Sequence, residues 1–316
     1  MSRIAAARAA RGRLIGVAMY GNRLKNKESL LAYALILPAL VLILVLDIAP
    51  LVRGFIVSFQ RQELMRPDLF GWAGFNNFYE ALVQEQIFWP SLLRTILWMA
   101  GAVGGAYLVG FCLALMLNRP DIKARGVLRA LFLIPWVVPD VVTSLIWKWM
   151  YNDQFGLINY GLKALGLTKE PVLFLASTKL ALISLIVVQV WKLYPLMTVM
   201  LLAALQQIPN DLYESARIDG CSGLQRIWHI TLPMIKPTSI VVTLLMSIWT
   251  FNHFDMVYLL TGGGPSSSTM VLSMLVYNKA FFGLNFGYAS SIGVLMLITL
   301  SILGVPYLRL YRRVED

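Results

Sequence analysis

Long apolar runs divided by short polar ones set the rhythm of this chain. Runs of about twenty residues or more fall at about 30–52, 92–117, 127–149, 180–205, 234–260 and 287–308. A hydrocarbon layer of about 30 Å needs roughly 20 apolar residues in a helix. Within lipid every backbone N–H and C=O must be paired inside the segment, which a helix does and a lone strand cannot. The pattern predicts an all-α polytopic membrane protein of about six transmembrane helices. It divides into a basic tail over 1–29, a membrane domain over 30–308 and a short tail over 309–316, with a polar connection at 206–232 inside the domain.

Several runs are interrupted in ways that matter. The second contains GAVGGAYLVG, small residues that let helices approach closely. The third holds Pro135, Pro139 and Asp140; the fourth holds Gln189, Lys192 and Pro195. The fifth holds Asn252, His253 and Asp255 and ends in the turn Thr261–Gly262–Gly263–Gly264–Pro265.

Composition strengthens the membrane reading. Hydrophobic residues make up 58% of the 316 and charged residues 14%, against about half and about a quarter in a soluble domain. The net charge of +11 does not point to nucleic acid, because the basic residues sit beside apolar runs and are not interleaved with aromatics on a polar face. They report orientation instead. Segments 1–29, 118–129, 206–236 and 309–316 hold 17 Lys and Arg, and the outer segments hold 9 although they are longer, with Lys192 left inside a span. Positive charge marks the cytoplasmic side, so both termini and the 206–232 connection are expected there. The Arg3–Lys27 stretch is followed by an apolar run without a small-residue cleavage site, so a retained first helix is expected. The tail itself either lies on the membrane surface or is solvated.

Catalytic chemistry is hard to find. Cys112 lies in an apolar run and Cys221 in a polar connection, and His229 and His253 lack ligand spacing, so neither a disulfide framework nor a metal site is expected. No GxxxxGK[ST] loop occurs, so no nucleotide or other cofactor is expected in this chain. No nucleophile and base converge, so the chain is not expected to be an enzyme.

The connection over 206–237 reads QQIPNDLYESARIDGCSGLQRIWHITLPMIKP. Asp211 with Glu214, and Ser222 with Gln225, have capping-box spacing. Gly220 suits a helix end, and Pro233 and Pro237 mark entry to the next span. Two short helices along the membrane face, joined at a Gly elbow, are expected. The spacing Glu214–Ser215–Ala216, three residues, Gly220, nine residues, Ile230–Thr231–Leu232–Pro233 resembles the E-A-A signature of permease subunits of binding-protein-dependent ABC importers. Ser215 for Ala is the one departure. Stretches GFNNFYEAL, LIPWVVPDVVTSLIWKWMYNDQFGLIN and LLTGGGPSSST resemble the carbohydrate-uptake branch, similar to maltose-type and glycerol-phosphate-type permeases, from about residue 33 onward.

That resemblance implies the type I importer fold in a bacterial inner membrane. The expected partners are an ABC ATPase homodimer that binds ATP and Mg, a second homologous permease, a periplasmic or extracellular solute-binding protein, and membrane lipid. It also implies that Glu214, Ser215, Ala216, Asp219 and Gly220 form a coupling helix that docks on the ATPase.

Charged groups at mid-membrane are costly and usually face a cavity or a partner. Trp136 and Asp140 are four residues apart on one helix face. Gln189, Lys192, Leu193 and Leu196 share a second face, and Met246, Thr250 and His253 a third. The resemblance places substrate-contacting positions at these same nine residues. Asp140 and Lys192 either pair with each other or line a sugar cavity in which Lys192 meets an anionic group, so the expected solute is a sugar or sugar derivative that includes sulfonated or phosphorylated candidates. An ion-coupled secondary transporter that uses Asp140, Lys192 and Asp255 as relays is the alternative.

Overall fold

The computed structural model describes residues 33–119, 121 and 125–315; the basic tail over 1–29 and Lys123 of the basic loop lie outside them. The chain divides after Ile56. The first unit is described by helix α1, Tyr33–Val57, with a mean hydropathy of 2.8. A π turn at Leu44–Ile48 precedes Pro50, whose ring and missing N–H cannot continue the regular ladder.

The second unit holds the remaining elements. A short antiparallel ribbon pairs β1, Gln60–Arg61, with β2, Gly71–Trp72. The helices that follow are α2 (Phe88–Leu117), α3 (Arg125–Val137), α4 (Asp140–Met150), α5 (Leu157–Ala164) and α6 (Ala181–Leu205). Then come α7 (Asn210–Ile218), α8 (Gly223–Asn252), α9 (Asp255–Leu260), α10 (Leu272–Tyr277) and α11 (Phe286–Glu315). Among the described residues, five helices are long and apolar enough to cross a membrane, or six if the bent α3–α4 pair is one span.

Two expected spans are broken. The third, read as continuous over 127–149, is α3 and α4 meeting at 91°. Pro139 has no N–H to give and keeps Val138 out of the helical region. The fifth, read over 234–260, starts earlier at Gly223 and stops at Asn252; His253 is extended (φ −70°, ψ 121°). Pro233 and Pro237 lie inside α8 and do not open it, because a π turn at Ile227–Thr231 shifts the hydrogen-bond register just before the first of them. At the far end α11 continues through the positions expected to be a tail.

Close packing of α2 on α6 forms the centre of the second unit. A Cβ at Gly105 would lie 2.6 Å from Val190 Cγ2, and one at Gly110 would lie 2.9 Å from Met197 Cβ and 3.1 Å from the Thr198 backbone nitrogen. Small residues are needed there because helices in lipid associate by van der Waals contact rather than by exclusion of water. Trp98, Leu185, Met197, Leu201, Met246 and Phe251 are wholly buried around this seam.

The two ends of the bundle differ. At one, the ribbon is tied to the start of α11: Phe286 N–H donates to Gln62 O at 2.8 Å, and the Asn77 side chain donates to Ser58 O and Gln60 O at 2.9 Å each. Glu85 pairs with Lys279 and accepts from the Tyr288 hydroxyl at 3.2 Å. Burial alone would raise the Glu85 carboxyl, but the Lys279 ammonium outweighs it and holds the pKa below the ordinary value.

At the other end lies the 206–232 connection. Gly220 takes φ 77°, Cys221 N–H donates to Ala216 O at 2.9 Å and Gly220 N–H to Arg217 O at 3.1 Å. This is a Schellman ending, in which the left-handed residue is glycine because other side chains are strained there. Ser222 and Gln225 form a reciprocal capping box. Asp211 and Glu214 do not: Pro209 occupies the N-cap position, and α7 begins at Asn210 with no side-chain cap.

Candidate substrate cavity at two helix breaks

Breaking a span leaves polar backbone at membrane depth, and such backbone persists only where it is buried in protein or lines a cavity. Both breaks face one cavity of about 370 Å³, lined by Trp136, Asp140, Gln189, Lys192, Leu193, Trp249 and His253. Small-molecule sites run from about 300 to 1,000 Å³. The α3–α4 bend delivers Trp136 and Asp140, α6 delivers Gln189, Lys192 and Leu193 from one face, and the end of α8 delivers Trp249 and His253.

The walls are aromatic. Trp136 and Trp249 have ring centroids 5.8 Å apart at 26°. His253 stacks on the buried Trp98 at 6.0 Å and 4°. Three polar side chains form a chain: Lys192 Nζ lies 3.2 Å from Asp140 Oδ1, and His253 Nε2 lies 3.3 Å from Asp140 Oδ2. Lys192 also donates to Val138 O and, at 3.4 Å, to Trp136 O. Gln189 is 3% exposed, and its side-chain oxygen has no hydrogen-bond partner. A buried unpaired oxygen is costly, and its residue is one that lines the cavity.

Six of the nine residues selected from sequence line this space. Leu196 is half-buried against the α2–α6 core, and Met246 and Thr250 are wholly buried. Trp249 was missed, although it lies three residues after Met246 and four before His253. In an apolar run a tryptophan passes for a lipid contact. Asp140, His253 and Asp255 place one donor atom each within 4.8 Å of one another. The Lys192 ammonium beside Asp140 opposes a metal ion there, so the cluster is a charge network.

The residues expected to form the coupling helix are at the other end of α6. Glu214, Ser215, Asp219 and Gly220 are exposed, while Ala216 is buried. The Tyr213 hydroxyl lies 3.0 Å from Thr231 Oγ1 and ties α7 to α8.

A bundle of spans broken at a polar cavity, with a short helix closed by a glycine turn at one end, is the architecture of a membrane transport component. Residues 106–316 match the family of binding-protein-dependent transport system inner membrane components, and the chain belongs to it. The trehalose/maltose transport system permease protein MalF of Thermococcus litoralis is 38% identical over 93% of this chain and 98% of its own length. The sulfoquinovosyl glycerol transport system permease protein SmoG of Agrobacterium fabrum is 33% identical over 90% of this chain and 91% of its own. The fold is that of a chain in a bacterial ABC transporter involved in the import of the acidic polysaccharide alginate, with a TM-score of 0.78 and 24% identity over 92% of this chain and 98% of that one.

Proposed function

We propose that this chain is the permease subunit of an ATP-driven importer, in a bacterial inner membrane, for a neutral sugar delivered by a solute-binding protein. The observation that carries the reading is the cavity. The stacked Trp136–Trp249 pair offers aromatic surface that suits the C–H face of a pyranose, and a Gln189 side chain in the lining suits its hydroxyls. Relatives named for trehalose, maltose and sulfoquinovosyl glycerol transport support the sugar class.

Sequence alone allowed Lys192 to meet an anionic sugar. The geometry favours a neutral one. Lys192 Nζ donates to Trp136 O and Val138 O, and the Asp140 carboxylate 3.2 Å away offsets its charge. ATP and Mg then belong to a pair of ATPase subunits that meet α7, and a second permease completes the pathway. A solved relative of this fold is in complex with a periplasmic protein bound to an alginate pentasaccharide, which supports a binding-protein partner here.

The test is uptake by proteoliposomes that contain the whole complex. Expected are uptake of maltose or trehalose that requires ATP and the binding protein, inhibition by vanadate, and weak uptake of a sulfonated sugar. Uptake that needs no ATP and follows a proton or sodium gradient would instead establish the secondary-transporter reading.

A further inference from the structure

At a 91° bend the last carbonyls of α3 fall out of line with the first N–H groups of α4. Pro139 removes a donor outright. Helix ends leave such carbonyls orphaned, and at membrane depth lipid supplies no donor to pair them. Lys192, on a different helix and 8% exposed, does. Its ammonium has three donors and no acceptor; it donates to Trp136 O and Val138 O and forms an ion pair with Asp140 Oδ1 at 3.2 Å.

The charges also suit the helix ends. Lys192 sits at the C-terminal end of α3, where the helix dipole is negative. Asp140 stands in the first turn of α4, where it is positive. The second break is joined to the first through the same carboxylate: Asp140 Oδ2 meets His253 Nε2 at 3.3 Å, and the His253 backbone oxygen accepts from Ser273 Oγ at 3.2 Å. One acid therefore bridges α6 and both interrupted spans.

We infer that Lys192 is a positioning residue. With Asp140 and His253 it forms a clasp that holds the two helix breaks against α6 and fixes the spacing of the cavity walls, Trp136 and Trp249. It does not select solutes by charge. This rests on the sugar-importer reading of the cavity.

The test compares Lys192→Met with the double variant Lys192→Met, Asp140→Asn in the reconstituted complex. Removing one partner of a buried pair leaves a lone charge, whereas removing both does not, so turnover in the single variant should fall by about tenfold or more and recover several-fold in the double. The loss should be equal for neutral and sulfonated sugars. It should lie in kcat, with the apparent KM for sugar-loaded binding protein unchanged. The melting temperature of the complex should fall in the single variant and recover in the double. If Lys192→Met does not assemble with its ATPase while the double variant does, the clasp stands. A loss confined to anionic sugars, wild-type turnover in Lys192→Met, or a double variant no better than the single in turnover and melting would each overturn it. A wild-type complex that moves no sugar would defeat the reading of the cavity, and the melting comparison alone would then decide the clasp.

Discussion

Gln189 presents the least compromised signal in the cavity. Its oxygen is buried without a partner, which a fold tolerates poorly unless something else supplies the donor. Replacing it with leucine keeps the volume and removes the acceptor. A neutral hydrogen bond is worth about 1 kcal/mol and an unmet polar partner about 1–3 kcal/mol, so Gln189→Leu should weaken sugar transport by roughly five- to hundred-fold in kcat/KM. The chain itself should be no less stable, because a costly buried oxygen has gone. Unchanged kcat/KM would remove Gln189 from the site. Glu85 belongs to the opposite kind of residue, one that serves the fold. Its pKa is depressed in the folded chain. Its stabilisation is thus present above the ordinary carboxylate range and is lost as pH falls through the depressed value. Melting of the purified chain should therefore drop on the acid side, below about pH 4. Glu85→Gln should flatten that slope and cost about 1–3 kcal/mol at neutral pH. The sequence showed the polar residues of the cavity because their types are improbable inside apolar runs. It hid Trp249 because tryptophan is ordinary there, and it included Met246 and Thr250 because a stripe at i, i+4, i+7 covers a wider arc of α8 than the cavity does.

Elements obey two different rules in this chain. Where α2 meets α6, the limit is contact distance. Gly110 opposes Met197 and the backbone of Thr198, whereas Gly104 has nothing within 4 Å of a built Cβ. Gly110→Ala should cost about 1–3 kcal/mol as overpacking, and Gly104→Ala should be neutral or slightly stabilising, both read from melting in detergent. Equal effects would mean that the seam is not the constraint. In the 206–232 connection the limit is backbone pairing. The Schellman ending at Gly220 and the Ser222–Gln225 box of α8 fix the elbow between the two helices and leave α7 a lever with an exposed Glu214, suited to transmit a rigid-body motion. Glu214→Lys should insert and fold normally yet lose transport-coupled ATP hydrolysis, since a fully exposed helix position tolerates either charge in isolation. Wild-type uptake in that variant would remove Glu214 from coupling. The elbow was readable from Gly220 and Ser222, because turn and cap chemistry is local. The Asp211–Glu214 box was misread because Pro209 decides where α7 begins. The break in the third span was only half visible: its prolines were evident, but how sharply a chain bends depends on what pairs the freed carbonyls, and Lys192 lies more than fifty residues from them in sequence, while the break at His253 has no proline to announce it.

For the whole molecule, orientation decides whether these parts form a transporter. The lever must face the compartment that holds ATP, and the ribbon and the Glu85–Lys279 end must face the binding protein. The argument for that orientation is electrostatic. Arginine and lysine resist translocation, and the sequence segments expected on the side of the 206–232 connection hold 17 of them against 9 in the segments expected on the other. The structure makes the proposition testable, because both ends offer exposed positions. Asp219 is exposed beside the elbow, and Trp72 is 72% exposed on the ribbon. In a background with Cys112 and Cys221 replaced by serine, a cysteine at 219 should react with a membrane-impermeant maleimide in inside-out vesicles and be silent in right-side-out ones. A cysteine at 72 should do the reverse. Parallel packing of α2 and α6, with Gly101, Gly105 and Gly110 meeting Ile186, Val190 and Met197 in the same order, requires that the ends of both helices switch sides together. A single pair of labels therefore reports the second unit as a body. Labelling of the opposite pattern would put the lever outside, away from any ATPase, and the importer reading would fall with it even if every residue of the cavity were correctly assigned.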